Sequence, residues 1–141
     1  MISTLNELFI QIRTQLKKQG ELQADLIARE LCQKGAEIAP ENFERSRSLF
    51  LSSDSVGRIN DLLKRFQAGE PLPYLLGEWE FYSLTFQTPP NVLIPRPDTE
   101  TVVDVALKII HKYEAVRLLD LCCGTGCIGI ALAVNCPDLR C

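Results

Sequence analysis

No window of this sequence approaches the roughly 20 consecutive apolar residues that a bilayer-spanning helix requires, so the chain is not expected to cross a membrane. Long cationic runs are missing as well. No block of Lys or Arg exceeds Lys17-Lys18, and 15 basic residues against 18 acidic ones leave a net charge of −3. That balance argues against a nucleic-acid or anionic-membrane surface built by bulk electrostatics, and no direct nucleic-acid partner is expected. Histidine occurs once, at His111, and no two cysteines have Cys-x-x-Cys spacing, so no zinc-knuckle metal site is expected. The opening Met1-Ile-Ser-Thr-Leu-Asn-Glu7 has no basic segment followed by an apolar core, which speaks against a secretory signal. Internal repeats and low-complexity tracts are also missing.

What is present is ordinary globular material. Hydrophobic residues make up 46% and charged residues 23% of 141 residues, a length suited to one domain or to a small domain with part of another. Cysteine is abundant: Cys32, Cys122, Cys123, Cys127, Cys136 and Cys141. Adjacent Cys122 and Cys123 cannot easily bridge each other. The simplest reading of all six is small apolar residues kept reduced in a cytoplasmic protein.

Residues 1–70 read as helices. Ile2, Leu5, Leu8, Phe9, Ile12 and Leu16 recur at three- and four-residue spacing, painting one apolar stripe, and Thr4 with Glu7 forms a capping-box signature. Gly20 ends that helix. A second fits Ala24 to Cys32, with Ile27, Ala28, Leu31 and Cys32 on one face. Pro40 suits the first turn of a third, carrying Phe43 and Phe50. Ser55 to Ala68 repeats Val56, Ile59, Leu62, Leu63 and Phe66 at helical spacing before Gly69 and Pro71 stop it. Four or five short amphipathic helices imply a small bundle.

After Gly69 the period changes. Trp79, Phe81, Leu84 and Phe86 mark an extended stretch, and Val92-Leu93-Ile94 a second, with Pro89-Pro90-Asn91 as the turn of a hairpin. Thr99 then caps a helix with Val102, Val103, Ala106, Leu107 and Ile110 facing inward. Val116 to Leu121 reads as a buried parallel strand, and Gly129 to Val134 continues as helix.

Two segments carry chemistry. In Asp120-Leu-Cys-Cys-Gly-Thr-Gly126, Gly124 and Gly126 allow a sharp turn and close approach of a ligand to the backbone. The helix start that follows offers unpaired N–H groups and a positive dipole end. Gly124 to Gly129 matches the dinucleotide pattern Gly-x-Gly-x-x-Gly literally, which alone is weak. A carboxylate at the strand end, Asp120, four residues before Gly124, is instead the habit of methyltransferases; an ordinary strand-to-helix turn remains open from the pattern alone. In Ile94-Pro-Arg-Pro-Asp-Thr-Glu100, two prolines hold the chain extended around Arg96, giving a stiff strap with a guanidinium and two acids near a helix start. A rigid connector with Arg96 in a salt bridge explains it equally well.

Taken with Gly69-Glu-Pro-Leu-Pro-Tyr-Leu-Leu-Gly77 and Glu80-Phe81-Tyr82, these segments make the chain resemble the release factor glutamine N5-methyltransferases, with four motifs in order. The resemblance implies an α/β protein: a helical substrate-recognition domain at 1–70, a β-hairpin linker at 71–97, and at 98–141 the start of a class I, Rossmann-like methyltransferase domain. It implies S-adenosyl-L-methionine as cofactor, held by Asp120, Cys122, Cys123, Gly124, Thr125 and Gly126 with Arg96 and Pro97 at the methionine end. It also implies bacterial peptide-chain release factors as protein substrate, methylated at the side-chain amide of the Gly-Gly-Gln glutamine. Trp79, Phe81 and Tyr82 are expected to pack the hairpin rather than stack on substrate, and His111 to be a surface residue.

Two departures accompany the resemblance. Cys122 stands where the family pattern Asp-x-Gly-x-Gly-x-Gly has its first glycine, and a Cβ there costs about 1 kcal/mol or more if positive φ is required. The Asn-Pro-Pro-Tyr motif that holds the target amide, and the acid that grips the cofactor ribose, are not among these 141 residues. No catalytic residue is therefore assigned, the chain alone is expected to be inactive, and residues 101–141 are expected to be weakly held for want of a sheet. Competing readings are an adenine-N6 nucleic-acid methyltransferase fragment, a non-catalytic helical binding module, and a dehydrogenase.

Overall fold

The computed structural model describes residues 4–114 and 117–141. Ile2 of the first apolar stripe and Val116 of the expected strand lie outside them. Two compact units divide the chain, Met1–Leu76 and Gly77–Cys141.

The first unit is helical. Helix α1 (Leu5–Lys18) starts at Thr4, whose hydroxyl accepts from the Glu7 N–H while the Glu7 carboxylate accepts from the Thr4 N–H. Its apolar stripe is buried at Leu5, Leu8, Phe9, Ile12 and Leu16, and each such side chain removed from water stabilises the unit by about 1.5–3 kcal/mol. Helix α2 (Ala24–Ala36) runs past the expected end at Cys32. Gly35 lies inside it because the backbone of the next long helix comes too close for a side chain: a Cβ on Gly35 would sit 2.9 Å from both Cα and N of Ile59. Helix α3 (Ser53–Gln67) is capped by Ser52, whose Oγ accepts from the Ser55 N–H at 3.1 Å, and buries Ile59, Leu62 and Leu63. The short α4 (Leu72–Leu76) packs against α2 and α3.

The expected third helix from Pro40 is not there. A single 3-10 turn, Pro40–Asn42, is followed by irregular turns to Phe50. Two demands outweigh helix propensity. Carbonyls of Leu49 and Arg47 accept from the N–H groups of Leu5 and Asn6, which open α1 and have no intrahelical partner. Phe43 is also driven into the core, edge-on to Phe9 at 5.6 Å between centroids, and Arg47 lies over both rings. Phe50, expected beside Phe43, is exposed instead.

In the second unit, strands β1 (Glu78–Phe81) and β2 (Leu84–Gln87) form an antiparallel hairpin in register Trp79↔Phe86 and Phe81↔Leu84. The hairpin thus lies within the first extended stretch, and Val92–Ile94 is not its partner strand. Tyr82 (φ 51°) and Ser83 (φ 58°) make a two-residue turn with both φ positive, whose twist matches the flanking strands. Phe81 and Phe86 are buried and meet edge-on at 6.1 Å.

Helix α5 (Glu100–Tyr113) follows a 3-10 turn at Pro97–Thr99; Thr99 occupies the cap position without a side-chain hydrogen bond. Val103 and Ile110 are buried, Ala106 and Leu107 half-buried, and Val102 faces water. Helix α6 (Cys127–Asn135) adds Cys127, Ala131 and Leu132 to the core formed by Phe81, Phe86, Val103, Ile110 and Leu139. Among the described residues between α5 and α6 no buried strand forms: residues 118–121 are irregular, Leu119 and Leu121 are exposed, and Arg117 makes one isolated bridge to Arg140. An extended segment needs neighbouring strands to satisfy its backbone, and among the described residues only the short contact with Arg140 lies beside it, where the Leu118 N–H donates to the Arg140 carbonyl at 2.9 Å. Among the described residues, the architecture is helical with one two-stranded antiparallel sheet, and no helix is long and apolar enough to cross a membrane.

Candidate functional site

The turn before α6 brings Asp120, Cys122, Cys123, Gly124, Thr125 and Gly126 together at one helix start. Its backbone winds through three left-handed residues, Cys122 (φ 59°), Gly124 (φ 58°) and Gly126 (φ 75°). Two of these carry no Cβ and adopt the conformation freely, while Cys122 pays a strain of about 1–2 kcal/mol. The turn closes with the Gly126 N–H donating to the Cys123 carbonyl at 2.8 Å. Gly124 faces open space, with no atom within 4 Å of where a Cβ would stand, so a ligand has room to approach its backbone.

Gly126 is the cap residue of α6 and supplies no side-chain acceptor. Asp120 fills that role from six residues away: its Oδ2 accepts from the Gly129 N–H at 3.1 Å. A carboxylate at this end of a helix is stabilised by the dipole as well as by the hydrogen bond. The N–H groups of Cys127 and Ile128, also in the first turn, have no intrahelical acceptor, although the side chain of Cys127 is buried and that of Ile128 half-buried. The result is an anion-receptive helix start with one carboxylate already docked and a small set of backbone donors beside it.

Sequence reasoning placed Gly129 only in a weak literal pattern, yet it is a fixed part of the turn. A Cβ there would stand 3.1 Å from Asp120 Oδ2 and 2.7 Å from Cys141 Sγ, so a side chain at this position would crowd both the docked carboxylate and the Cys141 thiol. The third glycine of Gly124-x-Gly126-x-x-Gly129 was the available signal.

Arg96 and Pro97 are exposed, and no hydrogen bond or ion pair joins them to the 120–126 turn among the described residues. Arg96 makes no salt bridge there either, so the connector reading loses that anchor. The strap is fixed by the helix it leads into. Glu100 Oε1 accepts from the Tyr82 N–H at 2.8 Å, and the Tyr82 hydroxyl donates to Asp104 Oδ1 at 2.8 Å. The Asp104 carboxylate, which gains from the phenol proton, pushes the Tyr82 hydroxyl above its ordinary pKa. Asp104 was not foreseen; its signal was the i, i+4 spacing from Glu100, which puts both acids on one helix face. Trp79 is half-buried, Phe81 buried and Tyr82 half-buried, all within the hairpin.

All six cysteines are free thiols: Cys32 and Cys127 are buried, Cys136 half-buried, and Cys122, Cys123 and Cys141 exposed. His111 is exposed in the last turn of α5, its Nε2 3.7 Å from Cys136 Sγ. No cluster of three metal-ligating side chains occurs among the described residues.

No family model matches the chain. Curated relatives do. Residues of the chain are 46% identical over 90 positions to a release factor glutamine methyltransferase of Aliivibrio fischeri, an alignment covering 64% of this chain and 31% of that protein. A protein of the same name from Bordetella pertussis is 47% identical over 108 residues, 72% of this chain and 40% of the relative. The Fusobacterium nucleatum protein is 34% identical over 119 residues, 84% of this chain and 34% of the relative. The chain spans about a third of the length of the curated relatives it matches. Over that shared third, it is related to the release factor glutamine methyltransferases.

Proposed function

We propose that these residues are the front portion of an S-adenosyl-L-methionine-dependent protein methyltransferase that modifies the glutamine side-chain amide in the Gly-Gly-Gln motif of peptide-chain release factors. The observation that carries the reading is the left-handed turn Cys122–Gly126 leading into α6 with Asp120 docked on Gly129. It is supported by relatives whose names state release factor glutamine methylation. Domain roles follow the same reading: 1–70 for substrate recognition, 71–97 as hairpin linker, and 98–141 as the start of a Rossmann-like cofactor domain in a cytoplasmic enzyme.

The donor set suits the cofactor. S-adenosyl-L-methionine supplies a methyl group already bonded to a sulfonium leaving group. The chain's own residues bind and orient. Asp120 keeps Oδ1 for a cationic ammonium while Oδ2 holds the helix start. Gly124 and Gly126, with Cys122, Cys123 and Thr125, give the backbone surface over which the amino-acid end lies, and Cys127 and Ile128 offer N–H donors to its carboxylate. Arg96 and Pro97 border this end.

A carboxamide nitrogen is a weak nucleophile because its lone pair is delocalised, so transfer depends on holding that nitrogen in line and accepting its N–H hydrogens. No Asn-Pro-Pro-Tyr occurs in the sequence to do so. The 141 residues alone are therefore expected to transfer no labelled methyl group from S-adenosyl-L-methionine to a release factor. Measurable transfer would place the amide-holding groups within them and overturn that part of the proposal. An adenine-N6 methyltransferase would share much of this turn, but the net charge of −3 gives nucleic acid no electrostatic footing.

A further inference from the structure

The cofactor-like turn carries a second chemical feature that methyl transfer does not use: two neighbouring thiols, both in water. In an extended strand adjacent side chains leave on opposite faces. Here the backbone is turned, with Cys122 at φ 59°, and that alternation does not apply. The remaining thiols are placed differently. Cys32 and Cys127 are buried, Cys136 packs partly against the second core beside His111, and Cys141, exposed beside Gly129, has no cysteine next to it in the sequence.

We propose that Cys122 and Cys123 form a chelating dithiol site for trivalent, thiol-seeking arsenicals. A direct disulfide is a poor product for this pair, because adjacent Cα atoms lie about 3.8 Å apart, short of the usual range of about 4.4–6.8 Å for bridged cysteines. An arsenic atom inserted between the two sulfurs relaxes that constraint by widening the ring. The step balances without an oxidant. With phenylarsine oxide, two S–H bonds and the arsenic–oxygen bond break, two arsenic–sulfur bonds form, and both thiol protons leave with the oxygen as one water. Arsenic remains trivalent. The second thiol captures an arsenical already held by the first, so the pair binds by about 100-fold or more over one thiol alone.

Phenylarsine oxide and the 141-residue protein, mixed in excess glutathione and read by intact mass and peptide mapping, test this. The expected result is one phenylarsenic group per protein, with two hydrogens lost, on the peptide holding Cys122 and Cys123, and released by a small dithiol. Cys122→Ser and Cys123→Ser each lower the apparent affinity about 100-fold or more, with far-UV circular dichroism unchanged, while Cys127→Ser and Cys141→Ser bind as the parent does. A glutathione-resistant adduct elsewhere, its persistence in both single variants of the pair, or no such adduct at all overturns the site. One consequence rests on the function proposed above: S-adenosyl-L-methionine protects the dithiol. If the arsenical binds and the cofactor gives no protection, the cofactor reading fails and the dithiol site stands.

Discussion

Two helical glycines of the first unit are expected to respond in opposite directions to the same substitution. Replacing a helical glycine by alanine normally stabilises by up to about 1 kcal/mol, because the unfolded chain loses freedom and the helix gains propensity. Gly57 in α3 is exposed with nothing within 4 Å of a new Cβ, so Gly57→Ala collects that gain in full. Gly35 in α2 faces the backbone of α3, where the new Cβ would stand 2.9 Å from Ile59 Cα and N, and closer still to Ile59 Cγ1. Those are main-chain atoms of a packed helix, so α2 and α3 must separate by about half an ångström to reach ordinary contact. Overpacking of this kind costs about 1–3 kcal/mol and strains the 2.8 Å bond from Arg58 Nε to the Gly35 carbonyl. Net of the propensity gain, Gly35→Ala is expected to lose up to about 2 kcal/mol. Chemical denaturation followed by far-UV circular dichroism reads both variants, and thermal midpoints should separate by about 4–8 °C per kcal/mol in a unit of this size. Equal shifts of the same sign in the two variants would refute the close approach of α2 and α3.

Cys122→Gly removes the strain of a left-handed non-glycine residue and is expected to stabilise the second unit by about 1 kcal/mol in thermal unfolding, whereas Cys122→Val should destabilise it. Burial pushes the Cys32 thiol up to about 12, so at pH 8 iodoacetamide should leave it unmodified while Cys122, Cys123 and Cys141 react; peptide mapping reports each site. Burial also raises the Glu30 carboxyl above its ordinary 4.5, with Arg29 opposing the shift. The folded state then binds the proton more tightly than the unfolded chain, so this group's contribution to stability is greatest below pH 4.5 and is lost as pH rises through its folded pKa. Glu30→Gln should accordingly gain stability relative to the parent at pH 7 but not at pH 4, in denaturant titrations at both values.

Much of the first unit was legible because its signals are local. The Thr4–Glu7 capping box and the stripe Leu5, Leu8, Ile12 and Leu16 need only their own helix to be read. The last turn of α2 was not read, since what places Gly35 there, a partner helix too close for a side chain, is not local. The segment after Pro40 failed as a helix for a non-local reason: its carbonyls serve the start of α1 and its Phe43 serves Phe9. A hairpin was found in kind, but its second strand and its turn were misplaced. Pro89-Pro90-Asn91 advertises a turn, while Tyr82-Ser83, which makes the real one, lacks the Asn-Gly or Asp-Gly pattern that such turns favour. At the candidate site the glycines and Asp120 were visible in the sequence, but the docking of Asp120 on Gly129 was not, because it depends on the fold bringing residues nine apart into contact. The expected strand up to Leu121 is missing among the described residues, where its backbone meets only the isolated bridge to Arg140 and no strand of the one two-stranded sheet.

The central claim, that the turn from Asp120 to Gly126 holds S-adenosyl-L-methionine, is tested most directly by titrating that cofactor and NAD separately against the 141-residue protein by equilibrium dialysis. The account predicts saturable binding of S-adenosyl-L-methionine, tightened by Cys122→Gly and weakened by Asp120→Ala by about 10-fold, equivalent to about 1.4 kcal/mol, with no saturable binding of NAD. No saturable binding of S-adenosyl-L-methionine to the parent or to Cys122→Gly, or equal binding of NAD, would contradict it.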